Sequence, residues 1–158
     1  MIMKKRLLLL LTILTLLFTA SCGKAEDGQT GEAASQQNLS ERIAKEISDA
    51  GEREKEVEKQ QAEASTQPEM NKTAEEMYRL WDDTLNIVWK LLEENLNEAD
   101  MEALRSEEKA WIASRDAEVQ AAGLENGGGS LQPLLEAETA AELTKARVYE
   151  LAKYADGM

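Results

Sequence analysis

The chain of 158 residues has no histidine, a single cysteine, two prolines and very few aromatic side chains. Each shortage excludes something. Without imidazole there is no His general base for a serine hydrolase and no His ligand for zinc. One cysteine cannot close an intramolecular disulfide, so the fold is held by packing and polar contacts alone. The prolines, Pro68 and Pro133, leave long stretches free to be helical. No alternating apolar and polar pattern marks a strand.

What the chain has instead is acid. Asp and Glu number 31 against 18 Lys and Arg, a formal charge of −13. Such a surface is repelled by the phosphates of nucleic acid and attracts a cationic partner. Carboxylate-only chemistry stays arithmetically open, but acids at helical spacing form a solvated face, and no pair stands apart from the rest. No catalytic residue, metal ligand or cofactor is therefore assigned.

The N-terminus carries an address. Lys4, Lys5 and Arg6 precede an apolar run from Leu7 to Phe18, followed by the small residues Thr19, Ala20 and Ser21. This is the charged, apolar and small-residue order of a signal peptide, and the run is too short for a comfortable transmembrane helix. Cys22 follows at once, and the junction is similar to a lipobox, with Thr19 where Leu is usual. The expectation is a signal peptide over residues 1–21 and a lipidated Cys22. Acyl chains on Cys22 would anchor the protein in the bilayer at the outer face of the bacterial cell membrane. Removal of the three basic residues leaves the mature chain at −16.

Residues 22–67 are polar and acidic, with Leu39, Ile43, Ile47 and Val57 as the large apolar residues. This segment reads as a partly helical tether, too poor in apolar surface to offset its ordering entropy. The compact part is expected over 68–154, with a short tail at 155–158. Thr66 and Glu69 form a capping box signature ahead of a stripe at Met70, Ala74, Met77, Trp81, Leu85, Val88, Leu92 and Leu96. Asn97 and Asp100 start a second helix with Met101, Leu104, Trp111, Val119 and Ala122 on one face, and Trp111 central and buried. After the breaker Asn126, Gly127, Gly128 and Gly129, Ser130 is placed as the cap of a third helix. Its inward face is Leu134, Ala137, Ala141, Thr144, Val148 and Leu151. The fold class is all-α: a small antiparallel bundle of three helices after a signal peptide and an acidic tether.

Several short motifs fall in a fixed order: Glu69-Met70-Asn71, Asp82 with Leu85-Asn86, Trp111-Ile112 with Arg115-Asp116, Gly128-Gly129-Ser130, and Leu143-Thr144 with Arg147. Together they resemble the lysozyme-inhibitor-like domain family named for the mycobacterial lipoprotein LprI. The resemblance spans Pro68 to Tyr154 and implies an exported, mostly helical domain, with lysozyme inhibition attributed to some members. It also implies cysteines near Thr73, Val119 and Thr139, where this chain has none. Glu108 stands where Gln is usual and Trp89 where Tyr is common.

Asp82, Asn86, Glu108, Arg115, Asp116, Thr144 and Arg147 lie on or beside the apolar stripes. An unpaired charge there is costly, so these residues are expected to form an ion-paired cluster that fixes helix register, with a binding site as the alternative. The loop Asn126, Gly127, Gly128, Gly129 and Ser130 is the candidate binding element. The expected function is a membrane-anchored, non-enzymatic binding module whose partner is a cationic lysozyme. The alternative is an accessory lipoprotein that binds another envelope protein.

Overall fold

The computed structural model describes residues 29–125 and 129–156. The expected signal peptide, Cys22 and the loop residues Asn126, Gly127 and Gly128 lie outside the described residues. Four helices follow in order: α1 (Gln29–Glu63), α2 (Gln67–Asn95), α3 (Glu98–Glu125) and α4 (Gln132–Ala152), ending in a 3-10 turn at Lys153–Asp156. No strand occurs among the described residues.

Local chemistry explains most helix ends. The Thr66 hydroxyl accepts from the Glu69 amide, and the Glu69 carboxylate accepts from the Thr66 amide at 2.9 Å, so the capping box forms and Pro68 occupies the first turn. The Asn97 side chain accepts from the Asp100 amide at 3.0 Å and starts α3. The start of α4 differs from expectation. Ser130 does not cap it; Leu131 holds that position with no side-chain hydrogen bond. The Gln132 amide instead donates to the Gly129 carbonyl, in a turn that requires the positive φ of 99° at Gly129.

The expected three-helix bundle gains a fourth member, and it comes from the segment read as a tether. Leu39, Ile43 and Ala50 of α1 are buried in the common core, and Ile47 packs against it. The expectation failed because it asked whether the segment could bury enough surface by itself. A helix that docks on others needs only one narrow stripe, and spacings of four and three from Leu39 to Ala50 supply it. The expected tail is also partly core: Ala155 is buried, and Asp156 accepts a hydrogen bond from Ser40 at 2.7 Å.

The helices alternate in direction. Ser40 meets Asp156, Glu54 meets Lys145 and Gln61 meets Glu138, so α1 and α4 are antiparallel. Between them lies α2, whose wholly buried Trp81 donates from Nε1 to Glu54 at 3.3 Å. Against α4, α3 runs antiparallel, and Gly123 lets it approach closely: a Cβ there would stand 2.7 Å from Cγ of Glu136. Along most of their length α2 and α3 do not pack on each other, which leaves a groove between them.

Candidate functional site

The polar residues singled out by sequence separate into two groups joined by one indole. The buried group is centred on Arg147, whose side chain is only 4% exposed. Its Nε donates to Glu108 at 2.9 Å, and Nη1 donates to Glu107 at 2.7 Å and to Glu150 at 3.1 Å. Burial works against the Arg147 cation, but hydrogen bonds to Glu107, Glu150 and Glu108 outweigh it and hold the guanidinium above its ordinary value. Tyr154 Oη donates to the second oxygen of Glu107 at 2.6 Å. This bond, followed by the one from Arg147, lowers the Glu107 carboxyl below its usual range. Thr144 is wholly buried one turn before Arg147. Three atoms of this group, Glu108 Oε1, Thr144 Oγ1 and Arg147 Nη2, have no partner among the described residues.

The second group sits at the surface. Arg115 is bound by its neighbour Asp116 at 2.9 Å and lies 4.0 Å from Asp82. Asn86 is exposed and donates to the backbone and side chain of Asp82. Trp111 connects the groups: the Arg115 guanidinium is 5.0 Å from its ring centroid and that of Arg147 is 5.7 Å. Trp111 is thus half-buried at the edge of the core, not central to it as expected; the central tryptophan is Trp81. The stripe in α3 is discontinuous after Leu104, so its indole covers paired charges instead of entering an apolar layer.

A separate groove of about 420 Å³ opens among α1, α2 and α4. Ala74, Met77 and Ala141 line it beside Trp81, and Glu54, Glu58, Glu138 and Glu142 surround it. Both Glu54 oxygens lie 2.7 Å from Lys145 Nζ, which offsets that charge. Glu58, Glu138 and Glu142 have no ion-pair partner among the described residues, so the groove is strongly acidic. Sequence reasoning missed it because one wall belongs to α1. It also missed Glu150, although the three-residue spacing from Arg147 was a usable signal. Of the glycine loop, Gly129 and Ser130 are exposed, and the flanking Leu124 and Leu131 are 58% and 45% exposed. Among the described residues no group of His, Cys, Asp and Glu is arranged to hold a metal ion, and no helix is long and apolar enough to cross a membrane.

Fold and site together define an all-helical domain whose buried charges bind one another and which carries an acidic groove. Residues 57–151 match the family described as Lysozyme inhibitor LprI, and the chain belongs to that family. The match starts within α1, ahead of the boundary expected at Pro68, in keeping with that helix being part of the packed body. An uncharacterised protein of Rhizobium meliloti (strain 1021) is 35% identical over 101 residues, covering 56% of this chain and 73% of the relative. No solved structure matches.

Proposed function

We propose that the mature protein is a lipid-anchored, extracytoplasmic inhibitor of a cationic lysozyme, acting by binding and not by catalysis. The observation that carries this reading is the acidic groove in a member of an inhibitor family. Three carboxylates with no ion-pair partner among the described residues, around an apolar floor, give a cationic partner both attraction and a surface to exclude water from. The described residues 29–156 carry a formal −15, which steers a cationic protein towards them, over the roughly 8 Å that physiological salt permits.

Charge alone gives promiscuous attraction, so inhibition also needs a shaped element. The loop Asn126–Ser130 fills this role in the proposal, because its glycines permit close backbone approach and Leu124 and Leu131 present apolar side chains on either side. Gly129 and Ser130 directly precede α4, and Glu138 of the acidic groove follows the start of α4 by about 9 Å of helix rise. The cluster of Asp82, Asn86, Glu108, Arg115, Asp116, Thr144 and Arg147 is assigned to positioning the helices. Cys22 is assigned to the anchor, and Cys22→Ser is expected to release the protein from the membrane or block its maturation.

The test is lysozyme activity on an uncharged soluble oligosaccharide, where masking of a charged cell wall cannot imitate inhibition. Inhibition by the folded protein that weakens as salt rises is the expected result. Unchanged activity at low and physiological salt overturns the inhibitor reading and leaves the accessory envelope lipoprotein as the alternative. Lysis by the protein itself would indicate an enzyme.

A further inference from the structure

The shape of the acidic groove narrows the kind of cation it can hold. Helices α1 and α4 stand on either side of α2 and touch each other little, so the groove is a trough with α2 at its base. Small side chains at Ala74 and Ala141 give it depth, and half-buried Met77 offers an apolar surface. The carboxylates line the two walls in register. Gln61 donates to Glu138 at 3.3 Å and Lys145 to Glu54 at 2.7 Å, and this antiparallel pairing sets Glu58 across from Ala141 and Glu142. Glu138 and Glu142 are four residues apart on α4, about 6 Å of helix rise. Negative charge is thus open at two points along the trough: between Glu58 and Glu142, and one helical turn away at Glu138. In the other direction the chain's own Lys145 ammonium fills a third point, on both oxygens of Glu54.

We propose that this trough binds a linear aliphatic polyamine, with methylenes on Met77 and ammonium groups at Glu58 with Glu142 and at Glu138. The site goes beyond the inhibitor reading and does not depend on it. An alkylammonium brings three donors to a carboxylate and a stem that prefers an apolar surface, as Lys145 does in the same groove. A single metal ion would need the carboxylates to converge, and no group of acidic side chains among the described residues does so. A monoamine neutralises one point and leaves the other. A four-carbon spacer, as in 1,4-diaminobutane and the longer arm of spermidine, separates two ammoniums by about the 6 Å of one such helical step. An apolar ligand would take carboxylates out of water unpaired, at high cost. A second copy of this chain would bring another strongly negative surface to the same place. The groove's 420 Å³ lies in the lower part of the range for small-molecule sites.

The probe is spermidine at low ionic strength, titrated into the purified protein by calorimetry while the methionine methyl resonances are followed. The expected result is one saturable site with a shift of the Met77 methyl, and n-butylamine binding at least about tenfold more weakly. Glu58→Gln and Glu138→Gln each weaken spermidine about tenfold, as the loss of one charge-assisted hydrogen bond does, with helical content unchanged. Glu94→Gln and Glu118→Gln remove the same charge at exposed positions outside the groove and leave binding unaltered. No saturable binding overturns the proposal. So does an equal loss in both pairs of variants, which would mean diffuse attraction to a negative surface. Failure of lysozyme inhibition would leave this result untouched, since no lysozyme enters the titration and the glycine loop takes no part.

Discussion

Helices α2 and α3 are nearly equal in length, at 29 and 28 residues, yet they are held in different ways. The stripe of α2 continues from Thr73 to Leu92 and buries Trp81, Val88 and Leu92 completely. In α3 only Met101, Leu104, Glu108 and Gly123 are buried. Apolar burial fixes α2; α3 is fixed along its middle by Arg147 of α4 reaching Glu107 and Glu108, and beyond that by the close approach at Gly123. The difference teaches that a helix with a weak apolar stripe can still be positioned, provided a buried cation on its neighbour is paired with its carboxylates.

The largest effect is expected in α2. Trp81→Ala should cost about 3–5 kcal/mol, as other large core truncations do, and chemical denaturation measures it. A small loss would mean that the α2 stripe is not the centre of the core. Arg147→Met should cost about 3–5 kcal/mol, because Glu108 is left buried without a partner. Adding Glu108→Leu should recover much of that loss, and hydrogen exchange should show α3 losing protection before α2. If the single variant weakens both helices alike, the contrast between them fails.

Trp111→Ala tests the edge of the same contrast. The half-buried ring packs against charged groups, so its removal should cost less than that of Trp81, about 2 kcal/mol. Equal costs would restore Trp111 to the centre. Thr66→Ala removes the capping box and should cost about 1 kcal/mol, confined to the first turn of α2.

The smallest effect is set by pH. Because Tyr154 and Arg147 lower the Glu107 carboxyl in the folded state, its contribution is complete above the carboxyl value of the unfolded chain and is lost as pH falls through the folded value. Glu107 is half-exposed, which limits the size. Denaturation midpoints should fall on acidification and fall less steeply in Glu107→Gln. A midpoint that rises on acidification, or an unchanged slope in the variant, would remove Glu107 from the attachment of α3.

By itself the sequence determined the helical class, the extents of α2 and α3 to within a residue or two, the caps at Thr66 and Asn97, and the inward stripe of α2. These depend on residues three or four apart and on turn chemistry that acts at once on the neighbouring backbone. It also carried the family motifs and the pairing type of Arg147 with Glu108, since a buried charge on an apolar face calls for an opposite one. Tertiary structure alone decided the rest. Whether Leu39, Ile43 and Ala50 belong to a core depends on a surface supplied by α2 and by the turn after α4, far away in sequence. Trp81 and Trp111 both sit on the apolar stripe of their helix, but one is buried against α1 and α4 and the other meets two arginines. The acidic groove and the groove between α2 and α3 exist only where helices converge or stay apart, and that spacing is fixed by packing between elements.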